Sequence, residues 1–189
     1  MIDTVLNTQR LVLRPLGPED APALLRYVVE NKDWLAPWEP ARHGSYYTVE
    51  AQRSILYQNL DDRRAGTGVL FGIYEKDAPR EVQGRISVSG IVRGIWQNGF
   101  IGYSIAGSRG GQGLMTEALR RVVLFSFAEL ALHRVQASII PRNAASIRVA
   151  EKSGFRLEGH SPRYMEIGNV WEDHDIFAIT AEDLRNGYP

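Results

Sequence analysis

The sequence predicts an α+β fold, and three features carry that expectation. Residues 69 to 106 alternate apolar and polar side chains between tight turns, the pattern of an antiparallel meander. A glycine-rich break at 108–113 leads into a long amphipathic segment with helical spacing. A strand, a short helix and two more strands then close the chain. No linker, internal repeat or low-complexity tract divides it, so a single domain over 1–189 is expected.

The elements follow in order. Residues 10–16 form a short strand, closed by Pro15 and Gly17. Pro18, Glu19 and Asp20 open a helix that reaches Glu30, since proline in the first turn and early acidic residues mark helix starts. Residues 31–47, rich in Trp, Pro and His, read as irregular. Thr48 is a candidate N-cap for a helix to about Arg64. In the meander, Val82, Gly84, Ile86, Val88, Gly90 and Val92 fall on one face, with Gln83, Arg85, Ser87 and Ser89 on the other. Arg93-Gly94 turns the chain into a strand over 99–106. Leu114, Met115, Ala118, Leu119 and Val122 line one side of a helix to about Leu130. A strand over 133–140 stops at Pro141, and a helix over 143–153 stops at Gly154. Strands over 155–167 and 170–179 finish the order β-α-α-β-β-β-α-β-α-β-β.

Composition excludes several functions. The 22 basic and 22 acidic residues cancel, which disfavours a general nucleic-acid binder. No apolar run reaches 18 residues and the N-terminus carries no signal-peptide pattern, so neither a membrane span nor export is expected, and the cytoplasm is the expected compartment. With no cysteine there is no disulfide, no thiolate nucleophile and no Cys-based metal site. His43, His133, His160 and His174 show no metal-ligand spacing, so no metal is expected. His174, between Asp173 and Asp175, reads as a structural hydrogen-bonding residue.

The glycine loop is the most informative segment. Glycines between a strand and a helix let backbone N–H groups approach an anion, and the helix N-terminus adds unpaired donors and a favourable dipole. A tight turn that simply needs glycine explains the same letters. A P-loop is excluded because no Gly-Lys pair occurs, and the dinucleotide fingerprint fails because Thr116 stands where its third glycine belongs.

The segment Ser108-Arg109-Gly110-Gly111-Gln112-Gly113, with Leu114-Met115-Thr116-Glu117 after it, resembles the acetyl-CoA pyrophosphate loop of the GNAT acetyltransferases, written Arg/Gln-x-x-Gly-x-Gly/Ala. Gly111 and Gly113 match; Ser108 stands at the Arg/Gln position, with Arg109 one residue later. A second block, Asn143-Ala144-Ala145-Ser146 with Gly154-Phe155 further on, resembles the family's Asn-x-x-Ser helix. Asn143 is equally a good N-cap. The segments Pro37-Trp38-Glu39-Pro40 and Trp171-Glu172-Asp173-His174 resemble the ribosomal-protein-alanine acetyltransferases within that superfamily.

The resemblance implies an αβα-layered GNAT fold: a mixed, mostly antiparallel sheet flanked by helices, with two strands splayed at the acetyl-CoA site. It implies acetyl-CoA contacts from Tyr103, Ser104, Ile105, Arg109, Gly110, Gly111, Gln112, Gly113, Leu114, Met115, Asn143 and Ser146. It also implies Ser146 as the acid that protonates the leaving thiolate and Glu166 as the base, although a solvated strand carboxylate explains Glu166 as well. Trp34, Trp38 and Glu39 fall where this fold places its acceptor; packing in a satellite core is the alternative for the Trp pair.

The implied reaction is direct attack of an amine on the thioester, by a monomer or homodimer acting on a protein N-terminus, expected to be that of a ribosomal protein. A small amine such as a polyamine, amino acid or antibiotic is a second acceptor class. A non-catalytic acyl-CoA sensor is a third reading.

Overall fold

A computed structural model describes residues 2–185; Met1 and the last four positions of the expected 1–189 domain lie outside the described residues. The chain runs β1 (Leu6–Asn7), β2 (Leu11–Pro15), α1 (Ala21–Glu30), α2 (Lys32–Leu35), α3 (Val49–Ala65), β3 (Val69–Glu75), β4 (Gly84–Val92), β5 (Asn98–Ile105), α4 (Leu114–Ala128), β6 (Arg134–Ile139), α5 (Ala144–Lys152), β7 (Arg156–Ile167), β8 (Val170–Thr180) and α6 (Ala181–Arg185). The expected order is present. Three short elements, β1, α2 and α6, were too brief to leave a period in the sequence.

All eight strands join one sheet in the order β1-β2-β3-β4-β5-β6-β8-β7. Every pairing is antiparallel except β5 with β6. That parallel pairing covers only Asn98–Phe100 against Arg134–Gln136, although β5 continues to Ile105 and β6 to Ile139. Beyond residue 100 the two strands therefore part and leave an opening in the middle of the sheet.

Each face of the sheet carries its own core. One core packs α4 against the strands through Leu114, Leu119, Val122 and Phe125, with Phe71 and Phe125 meeting edge to face at 5.5 Å. The other packs α1 and α3 through Leu24, Tyr27, Val28 and Leu56, beneath Tyr74. Burial of each such side chain contributes about 1.5–3 kcal/mol. Period two on the strands serves both layers: Phe71 and Ile73 point to the first core, Leu70 and Tyr74 to the second.

The caps are the expected ones. Thr48 Oγ1 accepts from Ala51 N–H at the start of α3, and Gly154 takes the left-handed conformation after α5. One expectation is overturned. The alternation along β4 does not continue through Val92, because a bulge between Ser89 and Val92, with Gly90 at φ +55°, shifts the register. Ile91 is buried in place of Gly90, and Val92 is exposed.

Asn59 ties α3 to the sheet from within the second core. Its Nδ2 donates to Leu16 C=O at 2.9 Å and its Oδ1 accepts from Leu70 N–H at 2.8 Å. Replacing Asn59 with Ala leaves the Leu70 amide unpaired in a part-buried site. The expected loss is about 1–3 kcal/mol, read as a lower urea midpoint with an unchanged m-value.

Candidate functional site

Two cavities meet where β5 and β6 part. The larger, about 590 Å³, runs along the glycine loop and α5. The smaller, about 390 Å³, lies on the side of the segment after α2. Trp38, Glu39, Tyr103, Ser104, Asn143 and Ser146 line both. The described residues contain no cluster of three or more His, Cys, Asp or Glu able to hold a metal.

The glycine loop is a turn built for backbone approach. Gly111 and Gly113 have φ of +74° and +77°, values that side chains rarely tolerate, and Gly113 is the N-cap of α4. Leu114 and Met115 bury their side chains in the core, so they meet the larger cavity through the main chain of the first helical turn. Those amides have no partner within the helix and suit an anion. Arg148 and Lys152, one turn apart on α5, add cationic side chains to the same cavity. Their spacing from Asn143 was legible in the sequence, but no motif pointed to them. Together, the glycine cradle, helix start and cations fit a diphosphate.

The loop is held from outside by Glu117. Its carboxylate accepts from Thr8 Oγ1 at 2.6 Å, Arg10 N–H at 2.8 Å and Arg10 Nε at 2.7 Å, and Arg10 Nη1 donates to Gln112 C=O at 3.0 Å. Burial opposes ionisation of Glu117, but the hydrogen bonds from Thr8 and Arg10 outweigh it and hold its pKa below the usual carboxylate range. Gln112 itself folds back, donating from Nε2 to Ser108 C=O. The Arg109 guanidinium, which also lines the larger cavity, sits 2.6 Å from Glu75.

At the junction, the backbone of β5 alternates. Ala106 N–H donates to Gln83 C=O on the β4 side, so the groups of Tyr103 and Ile105 face the opening. Tyr103 Oη and Ser146 Oγ are 3.0 Å apart, and Tyr103 Oη also donates to Ser146 C=O at 3.1 Å. Burial pushes the Tyr103 phenol up to about 12, against a smaller opposing effect of the Ser146 hydrogen bond, so it keeps its proton at neutral pH. Asn143 is the N-cap of α5: its Oδ1 accepts from Ser146 N–H at 3.1 Å, and the residue also lines both cavities.

Trp34 and Glu166 are placed differently from expectation. Trp34 does not line the smaller cavity with Trp38 and Glu39; α2 turns its ring against the glycine loop, where a Cβ on Gly107 would lie 3.1 Å from it. Its Nε1 donates to Ile105 C=O at 3.1 Å, so this carbonyl of the parted strand is already taken. Glu39 lines both cavities beside Trp38, and Arg85 Nη2 lies 2.5 Å from its Oε1. Glu166 is not brought to either cavity. It pairs with Trp171 at the end of β7, an exposed edge strand, which leaves a role as base without geometric support. His174 is buried, with Nδ1 3.0 Å from Glu172 C=O, and it also lines the smaller cavity.

Arg85 is the main residue that motif reasoning missed. Its only sequence signal was a charge on the polar face of a strand that faces helices on both sides.

Two expectations follow for the loop. Glu117→Gln and Trp34→Phe each raise the concentration of a diphosphate ligand needed for half-saturation about three- to tenfold, the effect of losing one or two part-exposed hydrogen bonds. Since the Glu117 pKa is lowered by folding, its contribution is complete above the unfolded carboxylate value of about 4.3 and is lost as pH falls through the lower folded value. Saturation curves from pH 5 to 8 should therefore show no change from this group.

Comparison with known proteins identifies the family and the fold. A family model described as an acetyltransferase (GNAT) domain matches residues 10–156. A probable N-acetyltransferase, YjcK of Bacillus subtilis, is 38% identical over 95% of this chain and 98% of its own. The ribosomal protein uS5-alanine N-acetyltransferase of Escherichia coli is 33% identical over 96% of this chain and 93% of its own. The structure of Mycobacterium smegmatis RimJ in complex with CoA-disulfide superposes with a TM-score of 0.91 at 32% identity, covering 97% of this chain and 90% of that one. The chain belongs to the GNAT acetyltransferase family and is an N-acetyltransferase related to the ribosomal-protein-alanine enzymes.

Proposed function

We propose that this protein transfers an acetyl group from acetyl-CoA to the free α-amine of a protein N-terminus, with a ribosomal protein as acceptor, by direct attack in a ternary complex. The supporting observation is the meeting of two cavities at the parted strands: one fits a diphosphate and its tail, and the other opens from the opposite side of the sheet. The acceptor class is supported by the name of the Escherichia coli relative.

Acetyl-CoA supplies the thioester carbonyl and a thiolate leaving group. This chain supplies the positioning. The outward-facing N–H groups of Tyr103 and Ile105 are donors at the gap, and the hydroxyls of Ser146 and Tyr103 hold protons beside it. Ser146 Oγ acts as the proton donor to the departing thiolate, with its hydroxyl held in place by Tyr103 Oη. Without cysteine, no acyl-cysteine route exists. An α-amine, with a reference pKa of about 7.7–8.0, needs far less help to deprotonate than a Lys amine near 10.4. Water in the smaller cavity suffices, which accommodates the distance of Glu166.

The test is CoA release, followed with a thiol reagent, on peptides beginning Ala, Ser or Met beside polyamines and free amino acids. Turnover confined to peptides with a free α-amine, with mass spectrometry placing the acetyl group there, is the expected result. Turnover on small amines alone overturns the acceptor assignment. Ser146→Ala is expected to lower kcat about 10²-fold, within the range of proton-transfer catalysis, with little change in KM for acetyl-CoA. The rate should rise with pH and level off near the pKa of the amine, about 8.

A further inference from the structure

The smaller cavity carries a charge that acetyl transfer to an amine does not call for. Its charged side chains are Arg42, Arg85 and Glu39, two cations against one anion. The Arg85 guanidinium is 17% exposed and held on three sides: Nη2 by Glu39 Oε1, Nη1 by Tyr46 Oη at 3.3 Å, and Nε by Ser104 Oγ at 3.3 Å. Burial works against its charge, but the field of Glu39 and the nearby phenols of Tyr46 and Tyr27 outweighs this and raises its pKa further. Arg42 lies over the Tyr46 ring at 4.6 Å, with Nη2 3.8 Å from the other oxygen of Glu39. Both oxygens of the single carboxylate are thus shared between two arginines.

A guanidinium offers five N–H donors, and these contacts use three on Arg85. The remaining N–H groups and the uncompensated charge favour an anion in the cavity. An attacking amine is neutral and gains nothing from them, and an ammonium or a neighbouring lysine is repelled. Arg85 also touches Ser104, which lines both cavities, so the charge lies close to the reacting amine. At about 3.3–3.6 Å per extended residue, a carboxylate on the second or third residue of an acceptor reaches it.

Resting on the N-terminal acceptor assignment, we infer that Arg85 and Arg42 are specificity residues that select an acceptor bearing a carboxylate close to its free α-amine. The chemical class is an N-terminal segment with Asp or Glu at position two or three.

The experiment uses the whole enzyme, saturating acetyl-CoA and hexapeptides beginning with Ala. These differ only at positions two and three, as Asp/Glu, Asn/Gln or Lys, with free aspartate and glutamate in parallel. The expected result is a kcat/KM for acidic peptides at least tenfold above their amide counterparts, carried by KM and reduced at high salt. In Arg42→Gln and Arg85→Gln that ratio falls towards one, whereas Glu39→Gln, which frees both guanidinium groups, raises it. Loss of fold alone lowers every substrate and leaves the ratio in place; if Arg85→Gln does not fold, the Arg42 and Glu39 variants still decide. Calorimetry on the N-acetylated hexapeptide products gives the same ratio where turnover is slow. Equal rates and affinities across the peptides, or a ratio that both single variants preserve, overturn the inference while leaving the N-terminal acceptor assignment intact. Turnover of free aspartate and glutamate with none on peptides has the opposite effect: it keeps the arginine recognition and overturns the protein acceptor.

Discussion

The site depends on one constraint: two adjacent parallel strands that pair for three residues and then part. β5 is bound to β4 along its whole length, and β6 is bound to β8, so each strand is fixed by its other neighbour while the edge between them opens. A strand edge inside a sheet presents backbone donors and acceptors that need partners. Here part of that need is met by Trp34, on Ile105, and the rest is exposed to two cavities. Without the parting, the helices of one face and those of the other would be separated by a continuous sheet, and no cofactor bound along α4 and α5 would meet an amine arriving from the segment after α2.

The surroundings of the opening are arranged to keep it rigid. α4 is anchored in its core by a run of fully buried side chains, so its N-terminus and the glycine loop cannot drift from β5. The Thr8–Arg10–Glu117 contacts brace the loop from the N-terminal strands. On the opposite face, Tyr27 reaches from α1 to Ser104 Oγ at 2.9 Å and sets the second core against the same strand. Both layers thus grip β5, and the electrostatics of the site differ across it: backbone amides and α5 cations on one side, an Arg–Glu–Arg cluster on the other.

Much of the fold, and the glycine turn that lines the larger cavity, was legible in the sequence, because both depend on local pattern. Period-two and period-3.6 hydrophobicity, Thr48, Gly154 and the glycine loop each act over a few residues. The loop glycines matched what the structure shows because positive φ is a property of a single residue. Local pattern is silent where a contact joins distant segments. The bulge at Gly90 reverses the inside and outside of β4 beyond it, and alternation alone cannot announce that. Trp34 falls with Trp38 and Glu39 in the segment between the first two expected helices, yet a one-turn helix, α2, rotates it towards Gly107, more than seventy positions along the chain.

The sequence by itself determined the element order, the alternation along the strands, the glycine turn at the start of α4 and the absence of cysteine chemistry. Each follows from side-chain period, backbone permissiveness or residue type, which need no knowledge of what lies across the molecule. Only the tertiary structure decided that Tyr103 meets Ser146, that Glu166 stays on an exposed edge strand, and that Arg85 is paired with Glu39 beneath the junction. Those facts depend on where strands part and how helices lie across them. Such geometry arises from packing between segments 40 or more positions apart, as the separations of 43 for Tyr103–Ser146 and 46 for Arg85–Glu39 show.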